Sequence, residues 1–131
     1  MIKNKKLTEK LAQEYSLDLL LLFGSRASER AYQGSDFDVA YLSENPLDLM
    51  EEARLIVELA PIFQSENVDL VNLKKATPLL LYAITRNCRV LYEKKALTFA
   101  SLRAYAFKKY VETKPLYEAK FKRLQKTIKT L

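Results

Sequence analysis

Three short stretches of this 131-residue chain carry side chains whose types and spacing suit chemistry. The first is Phe23-Gly24-Ser25-Arg26, where an apolar run ends in Gly-Ser. Glycine lets backbone approach a ligand closely. Exposed N–H groups at a helix start, together with the Ser25 hydroxyl, form a cradle for an anion, and Arg26 adds a charged clamp suited to phosphate. The alternative is an ordinary turn after a strand. The second stretch is Asp36-Phe37-Asp38 at the start of the next apolar run. In an extended chain the two carboxylates point the same way, about 7 Å apart. They repel unless solvent or a cation lies between them, and Mg²⁺ prefers carboxylate and phosphate oxygens. The alternative places both acids in a solvated loop. The third is Asp69 within Val68-Asp69-Leu70-Val71. An acid inside an apolar strand is costly unless it is paired, bound to a metal or turned to water.

Composition narrows the chemistry further. The chain has no His and a single cysteine, Cys88. Ser-His-Asp and Cys-His catalysis, His-ligated metal, an intramolecular disulfide and a multi-cysteine zinc site are therefore excluded. An enzyme built from these residues works with carboxylates, Lys, Arg, Tyr, Ser or a borrowed metal ion. Apolar residues at 49% and charged residues at 29% give globular composition, with length for one core. The longest strongly apolar run, Leu17 to Phe23, contains Asp18 and is far below membrane-spanning length. The start of the sequence has no secretory pattern, so a cytoplasmic location without membrane contact is expected.

The elements that must position these residues follow from pattern and punctuation. Lys3 to Tyr15 carries a helical stripe with Leu7 and Leu11, and Leu17 to Phe23 reads as a buried strand. Residues 24–35 read as a turn followed by a short helix or loop ending in Gly34-Ser35. Phe37 to Leu42 is the second strand. Asn45 as N-cap, Pro46 at the first helical position and Asp48 three residues after the cap start a helix that runs to Ala60, before Pro61. Asn67 to Leu73 is the third strand, Thr77-Pro78 opens a helix through Arg86, and Arg89 to Glu93 is the fourth strand. From Leu97 onward the pattern is helical, broken or kinked at Pro115. The expected architecture is α/β or α+β: one small mixed sheet with flanking helices, over residues 1–95, and a helical extension over 96–131.

The net charge of +6 is concentrated in that extension. Residues 100–131 hold nine Lys or Arg against two acids, Glu112 and Glu118, while the body is close to neutral. Tyr117, Phe121, Leu124, Ile128 and Leu131 are spaced 4, 3, 4 and 3, a heptad-type seam. The seam packs either on its own domain or on a partner, with Lys120, Lys122, Arg123, Lys126 and Lys129 facing water or an acidic surface. No recognisable nucleic-acid module accompanies the charge, so contact with nucleic acid is expected only as nonspecific phosphate attraction.

Gly24-Ser25, ten intervening residues, Asp36-x-Asp38 and a lone acid in the following strand together form a specific constellation. It resembles the active site of the polymerase-β-type nucleotidyltransferases, and within them the minimal nucleotidyltransferase (MNT) domain, over about residues 5–95. The resemblance implies that Gly24, Ser25 and Arg26 bind the nucleotide phosphates and that Asp36 and Asp38 ligate Mg²⁺. It implies that Asp69 is the third carboxylate, ligating the catalytic metal or activating the attacking hydroxyl. Two metals about 3.5–4 Å apart would stabilise attacking and leaving oxygens together. Many family members read Gly-Ser-Arg-Ala-Arg-Gly, whereas this chain has Ser28 and Glu29 at the last two positions. That departure bears on the loop over residues 28–34 and leaves the ligand carboxylates intact. Small members with a helical C-terminus are similar to the antitoxin halves of type VII-like MNT/HEPN toxin–antitoxin pairs. This implies AMP transfer from ATP to a tyrosine of a HEPN ribonuclease toxin, within a hetero-oligomer. Two alternatives are AMP transfer to a small molecule of aminoglycoside type, and a non-catalytic antitoxin that acts by binding alone.

Overall fold

The computed structural model describes residues 5–27 and 36–130. In chain order these form α1 (Lys5–Glu14), β1 (Leu17–Phe23), a 3-10 turn (Gly24–Ala27) and β2 (Phe37–Ser43). There follow α2 (Leu49–Phe63), β3 (Val68–Asn72), a second 3-10 turn (Leu73–Lys75), α3 (Pro78–Arg86), β4 (Cys88–Glu93) and α4 (Thr98–Thr130). The expected short helix or loop after the first turn, with Gly34-Ser35 and the Ser28-Glu29 departure, lies outside the described residues.

The four strands make one mixed sheet in the order β3-β2-β1-β4. β1 pairs antiparallel with both β2 and β4, and β2 pairs parallel with β3. The parallel pair needs a crossover, and α2 supplies it. β1 is interior and covered on both faces, which is why its sequence is a continuous apolar run rather than an alternation. Leu20, Leu22, Val39, Tyr41 and Val68 face a core built with α1 and α2, around Leu11, Leu55, Leu59 and Ile62. Leu19, Leu21 and Ala40 face a second core with Leu73, Leu81 and Ile84, closed by Ala106 of α4. Tyr41 is fully buried, and its hydroxyl donates to Glu52 Oε2 at 2.5 Å. That bond satisfies a hydroxyl that burial in the first core would otherwise strand.

Two helix starts show how local chemistry chose the boundaries. α3 begins at Pro78 with Thr77 as its cap, the Thr77 hydroxyl accepting the Leu80 N–H at 3.2 Å. α2 begins later than Asn45-Pro46 suggests. Its cap is Asp48, whose side chain accepts the Glu51 N–H at 2.7 Å while Glu51 accepts the Asp48 N–H at 3.1 Å. This reciprocal box satisfies two otherwise orphaned donors, and Asn45 instead closes a bend in which its carbonyl accepts from the Ser43 hydroxyl.

The prolines interrupt less than expected. α2 continues through Pro61 to Phe63, and α4 is a single helix through Pro115. Each proline deprives the carbonyl four residues earlier of its partner. Those residues, Val57 and Val111, lie on the solvent side, 69% and 52% exposed, where water can take the bond. Within α4 the packing is one-ended. Phe99, Leu102 and Ala106 meet the second core, and Tyr110 stacks on Tyr82 of α3 with centroids 4.1 Å apart. Every residue from Lys114 to Thr130 is exposed. From Tyr117 to Ile128 the seam therefore does not pack on its own domain, and its last member, Leu131, lies outside the described residues.

The contrast between core and extension sets an expectation for stability. Leu20→Ala should lower the unfolding free energy by about 2–5 kcal/mol, the cost of a cavity at a fully buried site. Leu124→Ala should stay within about 0.5 kcal/mol of wild type. Urea denaturation of the isolated protein measures both, and comparable losses at the two positions would contradict the free extension.

Candidate active site

The register of the sheet assembles the site. Phe23 is the partner of Asp38 across β1 and β2, Asp38 is the partner of Asp69 across β2 and β3, and Phe23 is also the partner of Cys88. One row across the sheet thus reads Asp69, Asp38, Phe23, Cys88. Residues paired in register point to the same face, here the face covered by α3 and α4. One step further along, Ala40 and Val71 belong to the core beneath those helices. Within the row Phe23 and Cys88 still pack against that core, and the cover runs out toward β3, leaving Asp38 half-buried and Asp69 exposed.

Two contacts hold β2 in this register. The Phe37 N–H donates to the Asn67 carbonyl at 2.8 Å, and the Phe37 ring stacks on Phe63 at 4.6 Å. Phe37 points away from the carboxylates and anchors the strand from the opposite face. Asp36 and Asp38 flank it. Asp36 lies just before β2 and is exposed.

Gly24 completes the geometry. Its φ is +76°, a conformation that L side chains rarely adopt. A Cβ placed there would overlap Asp38 Oδ2 and lie 3.2 Å from Asp38 Cγ. The space of the missing side chain is thus occupied by the Asp38 carboxylate, which brings the Gly24–Ala27 turn and the carboxylates into direct contact. The turn over Gly24–Ala27 is one of 3-10 type, where a helix opening was expected. Ser25 and Arg26 lie in it, and their side chains are outside the described set.

Sequence reasoning missed one contributor. The Arg89 Nε donates to the Ala27 carbonyl at 3.0 Å, pinning the end of the same turn from β4. The residues are 62 positions apart, and only the pairing of β4 beside β1 reveals their proximity.

The electrostatics follow from crowding. Burial, then the charge of Asp69, then that of Asp36, hold the Asp38 carboxyl above its ordinary value. A bound cation would relieve that repulsion. Among the described residues no group of three carboxylate or thiol side chains is assembled as a metal site. The donor chemistry nonetheless fits magnesium, which is commonly held by one or two carboxylates plus substrate phosphates rather than by an all-protein cage. The tyrosines with raised values, Tyr41 and Tyr15, owe them first to burial and then to Glu52 and Glu58, in the core lined by α1 and α2. They are structural and take no part in this row.

A mixed sheet with a Gly-Ser turn at the end of β1 and carboxylates at the starts of the next two strands across the sheet, β2 and β3, defines a nucleotidyltransferase class. The family described as polymerase beta nucleotidyltransferase matches residues 5–97, and the chain belongs to that family. Among individual relatives, the protein adenylyltransferase MntA of Aphanizomenon flos-aquae (strain 2012/KM1/D3) is 27% identical over 119 residues, spanning 83% of this chain and 79% of that one. The fold is shared with a chain in the crystal structure of a toxin–antitoxin complex with AMP-PNP (TM-score 0.79, 24% identity, covering 93% and 98% of the two chains). It is also shared with a chain in the structure of a tri-AMPylated Shewanella oneidensis HEPN toxin bound to its MNT antitoxin (TM-score 0.71, 24% identity, covering 92% and 98%). Among the described residues no helix is long and apolar enough to cross a membrane.

Two substitutions test the geometry without any ligand. Gly24→Ala should destabilise the fold by roughly 1–3 kcal/mol through its positive φ alone, with a further loss from overlap with Asp38. In a double-mutant cycle, Asp38→Ala should restore the overlap part and leave the backbone part. Purely additive losses would show that the two residues do not touch.

Asp38→Asn should raise stability in metal-free buffer at neutral pH. The folded-state value lies above the unfolded one, so protonation favours the fold. Wild-type stability is therefore lost as pH rises from about 3.9, the ordinary carboxylate value, through the raised one. Melting curves across pH should show that component in wild type and lack it in Asp38→Asn. A variant less stable than wild type at neutral pH would contradict the crowding.

Proposed function

We propose that this chain is the antitoxin of an MNT/HEPN toxin–antitoxin pair and neutralises its partner by adenylylation, moving AMP from ATP to a tyrosine hydroxyl of a HEPN-family toxin. The observation that carries the reading is the contact of Asp38 with the Gly24 position, in register with Asp69. It supports the reading because the Gly24–Ala27 turn and two carboxylates meet at one corner of the sheet, as phosphate and metal binding would require. The kinship with MntA, named as a protein adenylyltransferase, supplies the reaction class. The toxin–antitoxin structures that share the fold, one with AMP-PNP and one with an AMPylated HEPN toxin, supply the type of nucleotide and partner.

In this reading the Gly24–Ala27 turn receives the β- and γ-phosphates. Gly24 permits close backbone approach, the Ser25 hydroxyl and backbone N–H groups donate to phosphate oxygens, and Arg26 balances their charge. Asp36, Asp38 and Asp69 would hold Mg²⁺, which when bound neutralises charge on the phosphates and on the leaving group. The tyrosine oxygen attacks the α-phosphorus. The bond from that phosphorus to the bridging oxygen of the β-phosphate breaks, and pyrophosphate leaves. The phenolic proton passes to Asp69, whose exposure leaves it accessible to an incoming hydroxyl. Arg89 positions the turn through Ala27 and stays out of the chemistry.

Transfer of label from α-labelled ATP to the purified toxin should require Mg²⁺ and stop in EDTA. Asp38→Asn should lower the rate by about 100-fold or more, while Ser25→Ala should act more mildly because the backbone donors survive. Calorimetry should show tighter ATP binding with Mg²⁺ than with EDTA. Wild-type transfer by Asp38→Asn, or equal ATP binding in both buffers, would overturn the assignment.

A further inference from the structure

α4 has 33 residues and is about 50 Å long at 1.5 Å per residue. Its inward stripe is continuous. Phe99, Leu102, Ala106 and Tyr110 pack against the body, and Thr113, half-buried, follows on the same side. The same stripe runs on as Tyr117, Phe121, Leu124 and Ile128, each three or four residues after the last. That spacing keeps all nine positions on one side of an α-helix. The face that meets α3 over the first half of α4 therefore continues into solvent over the second half. There Phe121 is 62% exposed and Ile128 68%.

We infer that this free half is a docking surface for one amphipathic helix of a partner protein, lying where α3 would lie if it were longer. The heptad spacing of the seam selects a helix over a strand or a flat surface. Charge selects its flanks. Between Lys114 and Thr130 the chain carries six cations and one acid, Glu118. Lys114 and Lys120 border the seam on either side, and Lys122, Arg123, Lys126 and Lys129 project further round. Among the described residues the ion pairs of α4 stop at Lys108 and Lys109 with Glu112, so none of those six cations faces an acid, although the Lys114 ammonium lies 5.8 Å from the centroid of the Tyr110 ring. The occupant accordingly brings acidic residues opposite Lys114 and Lys120. A second copy of this chain would bring the same cations instead.

The proposal rests on the function above only in that its natural partner is a protein acceptor, and it is tested apart from transfer. The probe is a fluorescent 21-residue helical peptide with leucine at its seam positions and glutamate at the flanks. A matched peptide with lysine flanks, a vesicle of one-third phosphatidylserine and a poly-uridine strand serve as alternatives. The glutamate peptide should bind full-length protein and the lysine peptide should not. Phe121→Asp with Leu124→Asp should weaken that binding at least 100-fold, without changing the melting temperature or the binding of ATP. Lys114→Glu with Lys120→Glu should reverse the preference between the two peptides. In transfer assays the Asp pair should raise KM for the protein acceptor while leaving KM for ATP unchanged. The proposal is overturned by unchanged peptide binding in the Asp pair, by a lowered melting temperature, by a dimer that the Asp pair abolishes, or by tighter binding of vesicle or RNA than of the glutamate peptide. Absence of transfer together with seam-dependent peptide binding would refute the adenylyltransferase reading and leave the docking surface standing.

Discussion

The structure turns on the approach of one carboxylate to one missing side chain. Asp38 fills the space that any residue other than glycine at position 24 would claim. For that to happen, β1 must end and β2 must begin at the same level of the sheet, and β3 must be in register beside them. Each condition has its own support: the doubly buried β1, the Phe37–Phe63 stack, the Phe37–Asn67 hydrogen bond and the α2 crossover. The Arg89 bond to Ala27 then keeps the turn from swinging away. The carboxylate row is thus the outcome of packing on both faces of the sheet, although little of that packing touches the row itself.

The same arrangement works against stability. Asp38 is partly desolvated and repelled by two neighbours, a local conflict of the kind that folded chains tolerate mainly where function requires it. The surrounding cores are large enough to absorb it. Tyr41, Leu55 and Leu59 are fully buried behind β2, and the capping box at Asp48 and Glu51 secures the helix above them. Placing the strain at the rim, where cover from α3 and α4 ends, keeps it open to a ligand's charge.

Much of this was legible in the residues. β1 was readable because a strand covered on both faces is an unbroken apolar run, and α3 because Thr77-Pro78 has one reading. The carboxylates were readable as a set because Gly24-Ser25, Asp36, Asp38 and Asp69 fall at the ends of neighbouring strands. Other features depend on long-range geometry. Asn45-Pro46 looked like a helix start, yet a reciprocal pair three residues apart, Asp48 and Glu51, satisfied more donors. Pro61 and Pro115 looked like stops, yet their unpaired carbonyls belong to residues on the solvent side. Arg89 is one cation among 22 basic residues until strand order sets it beside Ala27. The seam of α4 was visible as spacing, but only the exposure of its residues decides that its own domain does not cover it.

The cations around that exposed stripe also govern how the unpartnered protein behaves in solution. Several large apolar side chains on a projecting rod are a liability for self-association. Like charge along the rod keeps two such rods apart, over a range of about 8 Å at physiological ionic strength and about 3 Å in molar salt. The isolated chain should therefore be most monodisperse in dilute buffer, and concentrated salt, the usual remedy for a basic protein that sticks, should bring the rods together.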